Sequence, residues 1–254
     1  MSCNVNGLRS ATSKGFLEWM RRQKPDVLCL QEVRAEPDQL PRKAAVPRGF
    51  EARYFSAQKK GYSGVAIWSV QPPLEWSEGI GRKDWDAEGR MLRADFGRLS
   101  VISLYIPSGS SGDERQRAKY RFMARLFEWL RDFRASGRSF VITGDWNIAH
   151  RELDLKNFKS NVRNSGFLPD ERAWLGQILD ELELVDVFRR LEPERRVYTW
   201  WSNRGRAFEK DVGWRLDYQL ATPDVAETAT SWSVYRRRRF SDHAPLTIDY
   251  RFEW

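Results

Sequence analysis

The run Ser139-Phe140-Val141-Ile142-Thr143-Gly144-Asp145-Trp146-Asn147 ends an apolar stretch in a carboxylate and a carboxamide two residues apart. A run this short, with β-branched residues, reads as a buried strand, and Gly144 permits a tight turn and close backbone approach at its end. If strand geometry persists, the side chains of Asp145 and Asn147 leave the same face. On this stretch alone an Asx turn fits equally well. Other runs end alike. Asn4 and Asn6 close the first, Glu32 follows the strand expected over 26–30, whose residues 27–30 are apolar, and Tyr105 lies near the end of another. Asp217 interrupts Trp214-Arg215-Leu216-Asp217-Tyr218, and Asp242-His243 precedes the last apolar run. Any one of these is more often structural than catalytic. A buried aspartate in a strand is costly unless paired, and His243 is the candidate partner for Asp217. Such a pair orients the imidazole and favours its charged form. His150, within a polar segment, has no such context. Glu32, Asn6, Asp145, Asn147 and Asp242 offer oxygen and amide groups, which suit a hard cation such as Mg²⁺ or Mn²⁺ rather than zinc. A hard cation, a carboxylate base, an amide donor and an Asp-oriented histidine are what phosphodiester hydrolysis requires. No Walker loop or Rossmann fingerprint is present.

The elements that must position these groups follow from periodicity and breakers. Helices are expected over 10–23, with Phe16, Leu17 and Met20 on one face, over 113–135, with an apolar stripe from Phe122 to Phe133, and over 171–183. Strands are expected over 26–30, 50–56, 64–69, 90–96, 99–106, 198–202, 215–221, 231–235 and 246–252, besides the opening run. Residues 37–49 read as loop with at most a short helix, and 76–89 as loop. Residues 147–170 form a long, asparagine-rich loop of the kind that is usually functional or disordered. Hairpin and crossover connections together predict an α/β fold with two packed mixed sheets and outer helices, as one domain over 1–254.

Composition narrows the classes. Hydrophobic residues make up 41% and charged residues 31% of 254, and no apolar run approaches the ~20 residues of a membrane helix. No signal peptide is visible, only Cys3 and Cys29 are present, and Cys29, inside the apolar run 27–30, reads as a buried free thiol, so a cytoplasmic protein is expected. The formal net charge of +8 suits a polyanionic partner or merely a basic surface. Of the 12 tryptophans most belong to the core, though bases also stack on such rings. Arg236-Arg237-Arg238-Arg239 reads equally as a phosphate-binding run or a solvated turn, and Lys59-Lys60 and Lys156 are similar.

Taken in order, Asn4-Val5-Asn6-Gly7-Leu8-Arg9, Leu30-Gln31-Glu32, Gly61-Tyr62-Ser63-Gly64-Val65-Ala66, Tyr105-Ile106-Pro107, Gly144-Asp145-Trp146-Asn147, Trp214-Arg215-Leu216-Asp217-Tyr218 and Ser241-Asp242-His243-Ala244-Pro245 resemble the exonuclease III family of apurinic/apyrimidinic endonucleases, within the DNase I-like superfamily. Each piece is weak alone; the ordered set is specific and spans almost the whole chain. Leu153 to Asn157, followed by Asn164 to Arg172, points to the DNA-repair branch. The resemblance implies a four-layer α/β sandwich that cleaves duplex DNA 5′ of an abasic site, with 3′-phosphodiesterase, 3′-phosphatase and 3′→5′ exonuclease action besides. It implies Mg²⁺, with Mn²⁺ able to substitute, and a monomer acting on double-stranded DNA with abasic sites or blocked 3′ ends, without a membrane. Carried over by position, Glu32 is the main metal ligand, with Asn6 and Asp242 nearby. Asp145 deprotonates or orients the attacking water, Asn147 positions it, and His243, oriented by Asp217, stabilises the phosphate. Tyr105 and Asn4 donate to the phosphate or position neighbours. Asn157, Asn161 and Asn164 match DNA-backbone contacts, and Trp200, Trp214 and Leu216 match the apolar pocket for a flipped-out abasic sugar.

The chain departs from the pattern in three places. Its first strand begins two or three residues late, Asn6 stands where some members have aspartate, and Ser108 to Ser111 replace larger groove-contacting side chains. A phosphoesterase acting on inositol phosphates or sphingomyelin is one competing reading, against which the loop 147–170, the tryptophan pocket and the basicity argue; a DNA-binding module without chemistry is the other, against which the complete catalytic set argues.

Overall fold

Alternating apolar residues in the central strands face two different neighbours, and this dictates the layers. The computed structural model describes residues 1–253. The chain runs β1 (Ser2–Asn4), α1 (Leu8–Ser13), α2 (Phe16–Gln23), β2 (Val27–Gln31), α3 (Arg42–Ala45), β3 (Glu51–Phe55), β4 (Val65–Ser69), β5 (Glu75–Glu78), α4 (Lys83–Asp86), β6 (Met91–Phe96), β7 (Leu99–Tyr105), α5 (Asp113–Ala135) and β8 (Ser139–Asp145). It continues with α6 (Phe158–Asn161), α7 (Pro169–Glu181), β9 (Val185–Asp186), α8 (Val187–Leu191), β10 (Trp200–Trp201), β11 (Gly213–Trp214), β12 (Asp217–Ala221), α9 (Pro223–Glu227), β13 (Ala229–Val234) and β14 (Leu246–Tyr250). One six-stranded sheet has the order β13-β14-β1-β2-β4-β3, the other β5-β6-β7-β8-β12-β9, and β10–β11 is a separate ribbon.

Each large sheet is mixed. β1 and β2 are parallel, as are β7 and β8, while the other pairs are antiparallel. A parallel pair needs a crossover, which α1–α2 and α5 supply. Cys29 of β2, Val101 of β7 and Val141 of β8 meet between the sheets. Leu28 and Leu30 turn the other way, toward Phe16, Leu17 and Met20 of α2, while Ile102, Leu104, Phe140 and Ile142 pack under α5 and α7. The period of two thus buries both faces of each sheet, giving helix, sheet, sheet and helix layers. Gly144 has φ +147°, and a Cβ there would stand 1.9 Å from the Leu104 carbonyl oxygen, so only glycine lets β8 lie this close to β7.

Several sequence expectations change in detail. The helix expected over 10–23 breaks at Lys14-Gly15, where Gly15 takes the left-handed conformation (φ +90°) and α2 restarts. Residues 76–89 are not all loop: β5 pairs antiparallel with β6, and α4 follows. The strand expected over 198–202 shrinks to Trp200–Trp201, and that over 215–221 starts at Asp217. The short helices α8 and α9 were not expected. Residues 147–168 are largely irregular, with a 3₁₀ turn over Glu152–Asp154 and the single turn α6. No helix among the described residues is long and apolar enough to cross a membrane.

Candidate active site

Parallel strands of one sheet end together, so the residues that close β1, β2, β7 and β8 gather on one edge of the sandwich. Asn4 ends β1, Glu32 follows β2, Tyr105 ends β7 and Asp145 ends β8. Asp217 begins β12, antiparallel to β8 and in register with Asp145, so it joins the same edge. His243 precedes β14 and makes a bridge with Trp200. Just beyond the strand ends, Asn6, Glu32, Arg34 and Asn147 all have φ between +43° and +54°. Left-handed non-glycine backbone costs on the order of 1–3 kcal/mol per residue and clusters at functional sites.

Asn4 is fully buried and ties the two sheets. Its Nδ2 donates to Glu32 Oε1 (2.8 Å) and to Asp145 Oδ2 (2.9 Å). Both protons of its amide are thus engaged by carboxylates of the site. Asn147 does not continue the strand: its backbone N–H donates to Asp145 Oδ1 (2.9 Å), which is an Asx turn. Its side chain still reaches the site, with Nδ2 donating to the Ile106 carbonyl (2.9 Å) and to Asp145 Oδ2 (3.1 Å). The strand and turn alternatives are thus reconciled by geometry, the turn belonging to Asp145.

His243 Nδ1 lies 2.9 Å from Asp217 Oδ2, and Nε2 lies 3.7 Å from Asp145 Oδ2. Burial opposes the imidazolium, but the Asp217 and Asp145 carboxylates outweigh it and raise its pKa to about 10. Asp145 is raised to about 7, by burial above all, with Asp217 and Glu32 adding to the effect against His243. Burial, then the Glu32 charge, pushes the Tyr105 phenol well above its usual range, so it stays a donor. Asn6 Nδ2 donates to Asp242 Oδ1 (2.8 Å), and Trp200 Nε1 to Asp242 Oδ2 (3.1 Å). These partners and His243 outweigh burial and hold the Asp242 carboxyl below the usual range.

A cation fits this site by charge. Glu32, Asp145, Asp217 and Asp242 bring four carboxylates together, faced by His243 and by Arg34, which pairs with Glu32 Oε2. Ligand atoms of Glu32, Asp145 and His243 all lie within 4.8 Å of one another. Glu32 and Asp145 offer carboxylate oxygens there, and Asp242 and the Asn6 amide lie on the same cleft; oxygen donors of this kind suit a hard cation.

The cleft, about 490 Å³, is lined by Asn6, Glu32, Arg34, Tyr105, Asp145, Asn147, Asp242 and His243. Trp200, Trp214 and Leu216 form an apolar wall, and Ser108, Ser110, Asn161, Asn164 and Ser165 form a rim of hydroxyls and amides. Asp217 is 2% exposed and stands behind His243. Asn157 lies outside the lining: its carbonyl accepts from Asn161 Nδ2 (2.7 Å), so it shapes the turn that presents Asn161. Trp200 and Trp214 meet edge to face at 6.4 Å, and Leu216 packs with Leu155 and Phe167 behind them.

Sequence reasoning missed two buried ionic groups that hold this arrangement. Asp154 is bound by Arg215 (Nε to Oδ1, 2.8 Å) and by Arg189, and Arg215 also reaches Asp186 (2.8 Å). Lys119 pairs with Glu171 at 2.6 Å. Lys119 lay in plain view on the stripe of Phe122, Met123 and Leu126, where a helix buries its residues. Arg34, two residues from Glu32, carried no separable signal.

Comparison with known proteins adds to this geometry. The model of the Endonuclease/Exonuclease/phosphatase family matches residues 1–243. The chain is 37% identical to the DNA repair nuclease APEX1 of Danio rerio, over 97% of this chain and 80% of that protein. An AP endonuclease from Archaeoglobus fulgidus has a similar structure, with TM-score 0.89 and 30% identity over 99% of this chain and 98% of that one. A 3′ phosphatase from Neisseria bound to product DNA hairpin also has TM-score 0.89, at 28% identity and the same coverage.

Proposed function

The chain belongs to the endonuclease/exonuclease/phosphatase family, and from that premise we propose that it is a divalent-metal-dependent DNA-repair phosphodiesterase. It cuts the backbone of double-stranded DNA 5′ to an abasic site and also removes 3′ blocking groups, with 3′→5′ exonuclease action. The observation that carries this reading is the meeting of Glu32, Asp145 and the Asp217–His243 pair in one cleft with the apolar wall of Trp200, Trp214 and Leu216. We assign the work to one domain over 1–254, acting in the cytoplasm as a monomer.

Asp145, with a pKa near neutrality, takes a proton from the attacking water. Asn147, fixed by Ile106 and Asp145, holds that water in line. The His243 imidazolium, kept charged by Asp217, and the Tyr105 phenol donate to the phosphate oxygens as charge develops. Mg²⁺, with Mn²⁺ able to substitute, would be held by Glu32 with Asn6 and Asp242, and would supply Lewis-acid stabilisation of the phosphate and leaving oxygen. The abasic sugar enters beside Trp200, Trp214 and Leu216, where no base blocks it and the cost of unstacking is least. Asn161 and Asn164 on the rim meet the neighbouring backbone, with Asn157 behind them.

A labelled duplex with one abasic analogue, incubated with Mg²⁺ or with EDTA, tests the reading. Metal-dependent nicking is expected from the wild type. Asp145→Asn and His243→Ala are expected to lose roughly 10² or more in rate while still binding. Binding without nicking by the wild type would overturn the assignment.

A further inference from the structure

Lys119 and Glu171 form an ion pair with both side chains 0% exposed, and the chemistry above makes no use of it. Burial pulls the ammonium's pKa down, and Glu171 works against that pull. Lys119 Nζ donates to Glu171 Oε1 (2.6 Å) and to the backbone carbonyl of Asn147 (2.8 Å). Glu171 Oε1 also accepts from Gln116 Nε2 (2.9 Å) and Ser165 Oγ (3.4 Å). Its Oε2 accepts from the backbone amides of Gly166 (2.6 Å) and Leu168 (3.1 Å). A carboxylate has about four acceptor sites, so this one is saturated. Beyond it, the Gly166 carbonyl accepts from Ala149 N (2.7 Å), and Gly166 itself has φ +93°. A Cβ on Gly166 would stand 3.3 Å from the Asn147 carbonyl oxygen and 3.3 Å from the Trp214 ring.

The pair therefore ties together two parts of the cleft. One is the turn that presents Asn147. The other is the segment Ser165–Leu168, which continues into the rim as Phe167 N donates to the Asn164 carbonyl (3.0 Å) and Asn164 N to the Asn161 carbonyl (2.9 Å). Asn147 is held in a left-handed conformation with its amide against Asp145, so a displacement of its carbonyl turns the group that faces the base. A buried ion pair that serves stability alone can be replaced by neutral groups of similar volume without loss. One that sets the position of working groups cannot.

We propose that Lys119 and Glu171 are positioning residues that lock the Asn161–Ser165 segment and the Asn147 turn into one rigid unit, so that DNA seated on the rim is registered against Asp145. The inference deepens the proposed function and rests on it for the roles of these groups. Lys119→Met/Glu171→Gln removes both charges while nearly keeping the volume. It is compared with the wild type and with Lys119→Arg by thermal unfolding, by hydrogen–deuterium exchange and by steady-state incision of the abasic duplex. The double variant is expected to melt near the wild-type temperature and to exchange faster in 145–149 and 164–168 together. Its kcat should fall by roughly tenfold or more and its KM rise, because small misplacements of catalytic groups are costly. Lys119→Arg, which keeps the charge, should recover most of the kcat. Faster exchange in 164–168 alone, or wild-type kcat and KM in the double variant, overturns the proposal. Should the double variant not fold, Glu171→Gln alone poses the question, because it nearly keeps the volume while removing the charge that holds Lys119 against the Asn147 carbonyl. A roughly fivefold fall in kcat with altered exchange at 145–149 is then expected, and wild-type values overturn the proposal. Absence of nicking by the wild type refutes the proposed function instead, while the exchange result still decides the coupling.

Discussion

Replacing Asp154 with asparagine removes the carboxylate on which two buried arginines converge. Arg215 and Arg189 are 1% and 8% exposed, and Asp154 is 0% exposed. Burial alone would raise the Asp154 pKa, but the two guanidiniums outweigh it and hold the group at about 2. Set against an ordinary aspartate near ~3.9, that depression contributes about 2 kcal/mol of folding free energy at neutral pH. Because the folded pKa is the lower one, the contribution is complete above about pH 4 and disappears as the pH falls toward about 2. Roughly 1 kcal/mol of it has gone at about pH 3. At neutral pH the variant leaves Arg215 with Asp186 and Arg189 with backbone carbonyls only, so a loss of about 3 kcal/mol is expected. The assay is urea unfolding followed by tryptophan fluorescence, for both proteins at about pH 5 and about pH 3. The stability gap between them should narrow by about 1 kcal/mol on acidification. A gap that stays constant, or an initial gap below about 1 kcal/mol, would refute the reasoning. The variant should also bind the abasic duplex more weakly, because Arg215 N donates to the Asp154 carbonyl (2.6 Å) just before Leu216, and Leu155 packs behind the tryptophan wall.

Asp217→Asn removes the largest charge and the hydrogen bond that hold His243 protonated, leaving Asp145 and Asp242 against burial, so its pKa should fall below about 10; the alkaline limb of the pH–rate profile for incision should shift to lower pH, and an unmoved limb would remove that role from Asp217. In the wild type the raised His243 pKa stabilises the fold below about pH 6.5 and is lost as the pH rises through about 10, and alkaline denaturation of Asp217→Asn should lose part of that slope. Glu32→Gln should weaken Mg²⁺ binding by calorimetry and abolish the rise in melting temperature that Mg²⁺ gives the wild type; an unchanged rise would remove Glu32 from the ligand set. Trp214→Ala opens the apolar wall and should cost abasic duplex more affinity than intact duplex in competition binding, an equal loss on both counting against a sugar pocket.

The site was more legible in the sequence than its supports were. Polar residues ending apolar runs mark strand ends, and the structure brings Glu32, Tyr105, Asp145, Asp217 and His243 to one edge. What periodicity could not show was the partner across the sheet. β5 exists because β6 offers it a ladder, and its own residues, Glu75 to Glu78, carry no strand pattern. Gly15 breaks the first helix through a left-handed turn, which a helical stripe passing through it conceals. Asn147 left the strand because Asp145 captures its amide, a local hydrogen bond competing with the pleat. Asp154 and Arg215 are 61 residues apart and meet only in the folded chain.

The two protons of the Asn4 amide reach one carboxylate from each sheet, so the seam between the halves of the molecule runs through the reactive centre itself. A half-made chain, or one whose sheets have drifted apart by a few ångströms, therefore holds no working scissors. For a nuclease, completion of folding is thus also the safety catch.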